Sequence, residues 1–131
     1  MKLLLDTQVM LWVAGQPEKL SKPARSLLTM PENALFFSAV SIWEIVIKRG
    51  LGREDFKVDP TRLKKMLVSH SYTELPIISE HALRLETLPL LHEDPFDRLL
   101  IAQARSEGMQ LLTLDASILQ YGESTLNALD L

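Results

Sequence analysis

Five carboxylate side chains, far apart in the sequence, stand at positions where they could share one site. Asp6 and Asp115 each follow directly on a short apolar run. Glu44 lies early in a segment with helical periodicity, and Asp94 and Asp97 open another such segment. Clustered carboxylates repel each other unless a cation lies between them, and oxygen ligands suit Mg²⁺ or Mn²⁺. The chemistry expected from such a cluster is metal-assisted hydrolysis of a phosphodiester bond.

Each acid also has a purely structural explanation. Asp94 and Asp115 could cap the N-termini of helices, and Glu44 could pair with Ser41 in a capping box. Asp6 is harder to explain in this way, because it ends an apolar segment where an unpaired carboxylate is costly to bury. Caps account for the residues one at a time and do not require them to meet. The joint arrangement therefore favours a metal site.

The alternation of strands and helices predicts how these acids are positioned. Strands are predicted over residues 2–5, 34–39, 72–75 and 110–114. Helices are predicted over about 8–14, 22–29, 41–49 and 79–87, and two more begin at Asp59-Pro60 and Asp94-Pro95. Parallel strands need crossover helices between them, so the pattern predicts an α/β fold, a sandwich around a mostly parallel sheet. Its functional crevice is expected at the carboxyl ends of the strands.

Length and composition limit the class of protein. The 131 residues contain no cysteine, which excludes disulfides, cysteine nucleophiles and thiolate metal sites. We expect one domain over residues 1–131, because no linker or repeat interrupts the chain. No apolar run approaches the roughly 20 residues of a membrane-spanning helix. We therefore expect a cytoplasmic protein with no membrane association.

Charge is distributed unevenly along the chain. The segment 48–65 contains seven basic and three acidic residues, whereas residues 74–131 contain three basic and ten acidic residues. This asymmetry lies within a net charge of only -3. It fits a basic wall beside an acidic pocket, and a pair of solvated helix faces is the alternative.

Several motifs, taken together, resemble those of the PIN-domain ribonucleases, and more narrowly the VapC-type toxins of toxin–antitoxin operons. Individually the motifs are weak, but together they cover nearly the whole chain in the family's order. The segments that carry the resemblance are Leu3–Thr7, Ser41–Ile45 with Lys48 after it, His92–Ala104 and Thr113–Asp115.

The resemblance implies a fold, an activity and a ligand set. The fold is a PIN-like three-layer α/β/α sandwich, and the activity is metal-dependent endoribonucleolytic cleavage by a toxin. Asp6, Glu44, Asp97 and Asp115 match the family's catalytic and metal-binding acids, with Glu44 binding directly or through water. Asp94 matches a further aspartate, for which we favour a capping role, with metal contact as the alternative. The cofactor implied is Mg²⁺, for which Mn²⁺ can substitute.

The resemblance also implies partners. These are an RNA substrate, a cognate VapB-like antitoxin and a second copy of the chain in a homodimer. Trp12, Trp43 and Met66 add large apolar side chains that a partner helix could cover, although core burial is the simpler fate of each. Basic residues assigned to substrate binding are Arg98, Lys64, Lys65 and Lys48.

Two departures and two rival functions remain open at this point. Gln8 stands where many relatives have histidine, and Glu93 where many have a basic residue. His92 alone is assigned a structural or substrate-positioning role. A PIN-like module that binds RNA or protein without cleavage is one alternative, and a Mg²⁺-dependent aspartyl-phosphate enzyme is another. Against the aspartyl-phosphate enzyme, this chain lacks the paired acids that such enzymes place after their first strand.

Overall fold

A computed structural model describes residues 1–122 and 124–127 and shows strands alternating with helices. Short 3₁₀ turns at Pro17–Lys19, Glu54–Phe56 and Leu85–Thr87 join some of the elements. The strands are β1 (Lys2–Leu5), β2 (Ala34–Ser38), β3 (Thr73–Leu75), β4 (Gln110–Thr113) and β5 (Thr125–Asn127). The α-helices are α1 (Thr7–Gly15), α2 (Lys22–Thr29), α3 (Ala39–Gly50), α4 (Pro60–Ser69), α5 (Ser79–Arg84), α6 (Pro95–Glu107) and α7 (Ala116–Leu119).

The described strands form one parallel sheet in the order β3-β2-β1-β4-β5. Leu4 of β1 is paired with Phe36 of β2 on one side and with Leu111 of β4 on the other. The chain builds outward from β1 through β2 to β3, and then returns to place β4 on the other side of β1. Such a reversal of strand order opens a crevice at the carboxyl ends of the strands. Asp6 follows β1 at this point, and Asp115 lies two residues after β4.

Apolar side chains pack on both faces of the sheet, because successive residues of a strand point to opposite sides. Leu5 and Phe37 face a core formed with α1, α2, α3 and α4. Leu4 and Leu111 face a second core formed mainly with α6 and α7. The architecture is therefore the predicted α/β sandwich with helices on both sides. Within residues 1–122 and 124–127, no helix is both long and apolar enough to cross a membrane.

Two local predictions were wrong. Helix α3 begins at Ala39 rather than Ser41, and Ser38 caps it by accepting a hydrogen bond from the Val40 amide. Ser41 is buried inside the helix, so it forms no capping box with Glu44. Strand β5, a three-residue edge strand beside β4, was not predicted from the sequence. Three residues at a sheet edge carry too little periodicity to be recognised in a sequence.

Candidate functional site

The predicted acids meet at the carboxyl ends of the central strands. A cavity of about 210 Å³ is lined by Asp6, Glu44, Asp94, Asp97 and Asp115. They reach it from β1, α3, the start of α6 and the turn after β4. The fold thus brings together residues that are up to 109 positions apart in the sequence.

Asp6 is held by both of its carboxylate oxygens. Oδ1 accepts a hydrogen bond from the Val9 amide at 2.8 Å and thereby caps α1. Oδ2 accepts a hydrogen bond from the Thr113 hydroxyl. Only 3% of the residue is exposed. Burial raises the pKa of Asp6 to about 7, with a smaller contribution from the charge of Asp97, although its hydrogen bonds oppose this rise.

Glu44 is buried on the inner side of α3. Its Oε1 accepts a hydrogen bond from the Thr7 hydroxyl at 2.6 Å, and the Lys48 ammonium lies 2.5 Å from Oε2. Thr7 also lies 2.9 Å from the Ser41 hydroxyl. This contact explains why Ser41 faces the site instead of capping the helix. Both oxygens of Glu44 therefore have protein partners.

Asp97 lies in the first turn of α6 and faces the imidazole of His92. His92 Nε2 is 2.8 Å from Asp97 Oδ2 and 3.9 Å from Asp115 Oδ2. Burial raises the pKa of Asp97 to about 6, and the charges of Asp94 and Glu44 add to the rise, whereas His92 opposes it. The carboxylates are thus close enough to disfavour one another's ionisation.

Asp94 and Asp115 line the cavity and also cap helices, as predicted. Asp94 Oδ1 accepts hydrogen bonds from the amides of Phe96 and Asp97, at 2.9 and 3.1 Å. Asp115 Oδ1 accepts a hydrogen bond from the Ser117 amide at 2.8 Å. In each case the capping bonds use one oxygen. Capping and cation binding are therefore compatible for these two residues.

The structure places one of the four basic residues predicted to bind substrate in the cavity lining. Lys48 lines the cavity, and so does Arg53, which was not predicted to bind substrate. Lys64 and Lys65 are exposed on α4 outside the cavity lining, and Lys64 pairs with Glu74 at 3.1 Å.

Arg98, which was predicted to bind substrate, does not line the cavity. Its guanidinium donates hydrogen bonds to the Pro89 carbonyl at 3.1 Å and to the Leu88 carbonyl at 3.4 Å. It also donates to the Tyr121 hydroxyl at 3.2 Å. The side chain therefore fixes the loop that precedes α6. The position of Arg98 directly after Asp97 in the sequence did not indicate that its side chain turns toward this loop.

The donor set of the cavity fits a divalent cation. Carboxylate oxygens are the ligands that hard cations prefer, and a cation would offset the burial, and the smaller repulsion between carboxylates, that raise the pKa values of Asp6 and Asp97. Asp97 and Asp115, with His92, offer ligand atoms that lie within 4.8 Å of one another. A site of this kind can hold a metal ion that assists hydrolysis.

Comparison with known proteins agrees with the fold and with the motifs. The structure is similar to that of VapBC2 from Rickettsia felis bound to a DNA fragment from their promoter, with a TM-score of 0.72, 13% identity, and coverage of 97% of this chain and 98% of that chain. It is also similar to VapBC-1 from nontypeable Haemophilus influenzae, with a TM-score of 0.67, 18% identity, and coverage of 97% and 98%.

A toxin–antitoxin complex from Klebsiella pneumoniae gives a TM-score of 0.65 at 18% identity, with coverage of 98% of this chain and 99% of that chain. At these identities the likeness shows a shared fold. No curated protein sequence matches the chain. The family model for the PIN domain matches residues 3–123. The chain therefore belongs to the PIN domain family.

Proposed function

We propose that this protein is a metal-dependent endoribonuclease that acts as a VapC-type toxin. The observation that carries the proposal is the convergence of Asp6, Glu44, Asp97 and Asp115 on one cavity at the reversal of strand order. Membership of the PIN domain family and the likeness to solved toxin–antitoxin structures support it. A protein built only to bind RNA would have no need to bury carboxylates that repel each other.

The four acids would hold Mg²⁺, or Mn²⁺ in its place. When bound, the ion lowers the pKa of a water molecule and stabilises charge that develops on a phosphoryl oxygen. Asp97 and Asp115 line the cavity together with Asp6, which follows the end of β1. Glu44 would act through water, because Thr7 and Lys48 already contact its two oxygens.

The substrate we propose is RNA, which would reach the acids past the two cations of the cavity. Lys48 lies over the ring of Phe56 at 4.9 Å, and Arg53 lies 6.0 Å from the same ring. Phosphate groups would be attracted to these side chains, which offset the negative charge of the acids. Lys64 and Lys65 lie outside the cavity lining and would act only on a longer RNA.

The partner we propose is a VapB-like antitoxin. We also propose that two copies of this chain form a homodimer and that the protein acts in the cytoplasm. The solved structures that resemble the chain include VapBC complexes, which supports the antitoxin partner. Half of Trp43 is exposed and its ring lies 4.9 Å from that of Phe96, which leaves apolar surface near the start of α6. Co-expression with a cognate antitoxin should therefore lower the ribonuclease activity.

Cleavage of a labelled single-stranded RNA in Mg²⁺ or Mn²⁺ tests the proposal. We expect Asp6→Asn and Asp97→Asn to fold and to lose cleavage, since these residues position an ion rather than fill the core. Asp59→Asn is a matched control, because Asp59 also caps a helix but lies outside the cavity lining. Full cleavage by Asp6→Asn or Asp97→Asn, or cleavage by the wild type in EDTA, would refute the proposal.

A further inference from the structure

The loop that carries His92 is held firmly against the body of the protein. The Tyr121 hydroxyl donates a hydrogen bond to the Pro89 carbonyl at 2.8 Å and accepts one from the Leu91 amide at 3.2 Å. Arg98 binds the same carbonyl at 3.1 Å. These hydrogen bonds fix a segment that belongs to no helix or strand. His92 is therefore held in a defined position beside Asp97.

The imidazole of His92 lies close to two of the acids that line the cavity. Its Nε2 lies 2.8 Å from Asp97 Oδ2 and 3.9 Å from Asp115 Oδ2. Around an ion bound octahedrally at about 2.1 Å, neighbouring ligand atoms lie about 3 Å apart and opposite ones about 4 Å apart. The two distances from His92 Nε2 thus fit the spacing of ligands that share one ion.

Asp6 and Glu44 differ from these groups, because their oxygens are already in use. The Val9 amide and the Thr113 hydroxyl bind the two oxygens of Asp6. Thr7 and Lys48 contact the two oxygens of Glu44. The ligand atoms of His92, Asp97 and Asp115, by contrast, lie within 4.8 Å of one another.

We infer that His92 supplies a nitrogen ligand to the metal ion of this site, beside Asp97 and Asp115. The inference rests on the proposed metal-dependent function and extends its ligand set. Mg²⁺ prefers oxygen ligands, whereas first-row transition ions accept imidazole together with carboxylates. The site should therefore bind Mn²⁺ more tightly than Mg²⁺, with His92 as the cause of the difference.

Pulsed electron paramagnetic resonance of the Mn²⁺-loaded wild-type protein tests this directly and requires no variant. A coordinated imidazole should modulate the electron spin echo through its ¹⁴N nucleus. Labelling histidine with ¹⁵N should change that modulation, which assigns it to histidine. Bound Mn²⁺ without nitrogen modulation would overturn the inference and leave the proposed function standing. No saturable Mn²⁺ binding would overturn the proposed function itself.

Calorimetric titration of variants provides an independent measurement. We expect His92→Gln to weaken Mn²⁺ binding about tenfold or more and to change Mg²⁺ binding little. His70→Gln is the matched control, because His70 is exposed at the end of α4 and its ring contacts the Met66 carbonyl at 2.8 Å rather than an acid of the cavity. Equal losses of Mn²⁺ and Mg²⁺ affinity in His92→Gln would mean that the imidazole only orients Asp97, and would contradict the inference.

Discussion

Replacement of Asp6 by asparagine should stabilise the metal-free protein at alkaline pH. Burial raises the pKa of Asp6 from 3.8 to about 7 in the folded state. The folded protein therefore binds this proton more tightly than the unfolded chain does. The associated stability is fully present below about pH 4 and is lost as the pH rises through about 7. Asparagine has no proton to lose over this range.

The size of the effect follows from the two pKa values. A rise in the pKa from 3.8 to about 7 corresponds to roughly 4 kcal/mol of unfolding free energy. The wild-type protein has lost this amount above pH 7. Asparagine caps helices about as well as aspartate, so the hydrogen bond from the Val9 amide should persist. We expect Asp6→Asn to be more stable than the wild type by roughly 2–4 kcal/mol at pH 8, and nearly equal to it at pH 4.

Urea unfolding in EDTA, followed by circular dichroism at several pH values, measures this difference. Asp59→Asn is the matched control, because it removes the charge of another capping aspartate outside the cavity. The reasoning would be refuted by parallel stability profiles for Asp6→Asn and the wild type. A variant less stable than the wild type at pH 8 would equally contradict it, since the carboxylate would then stabilise the fold.

Three further predictions concern the cavity and its surroundings. Because the pKa values of Asp6 and Asp97 are raised to about 7 and about 6, Mn²⁺ must displace protons, and its calorimetric affinity should increase at least about tenfold from pH 5.5 to 7.5; a flat profile would contradict this. Arg98→Leu should lower the unfolding free energy by about 1 kcal/mol in urea, because it removes the hydrogen bonds from the guanidinium to the Leu88 and Pro89 carbonyls, and an unchanged midpoint would refute the role of the loop. Arg53→Gln should reduce the slope of log Kd against log salt for single-stranded RNA by about 0.7, whereas Lys65→Gln should leave it unchanged; the reverse result would move the RNA path to α4.

Features that depend on local chemistry were predictable from the sequence. Asp59 and Asp94 each cap the helix that follows, because their carboxylates accept hydrogen bonds from free amides of its first turn. The proline after each aspartate favours the same position, because an amide at the first helical residue would have no partner within the helix. Gly108 ends α6 in a left-handed conformation that glycine adopts without strain. The alternation of such signals predicted the α/β fold and the edge of the sheet at which the acids lie.

Features that depend on contacts between distant segments were not predictable. Ser38 and Ser41 could each cap α3 by local criteria, and the contact of Ser41 with Thr7 decides between them. Arg98 follows Asp97 in the sequence, but the carbonyls of the preceding loop turn it away from the cavity. The closeness of His92 to Asp115 depends in the same way on how that loop packs.

Diffraction from crystals soaked in Mn²⁺, recorded where manganese scatters anomalously, tests the central claim most directly. The claim is that acids from distant parts of the chain hold the metal ion that RNA cleavage requires. We predict an anomalous peak in the cavity, in contact with oxygens of Asp97 and Asp115. A protein that binds Mn²⁺ in solution but shows its peak elsewhere, or a soaked cavity without a peak, would contradict the claim.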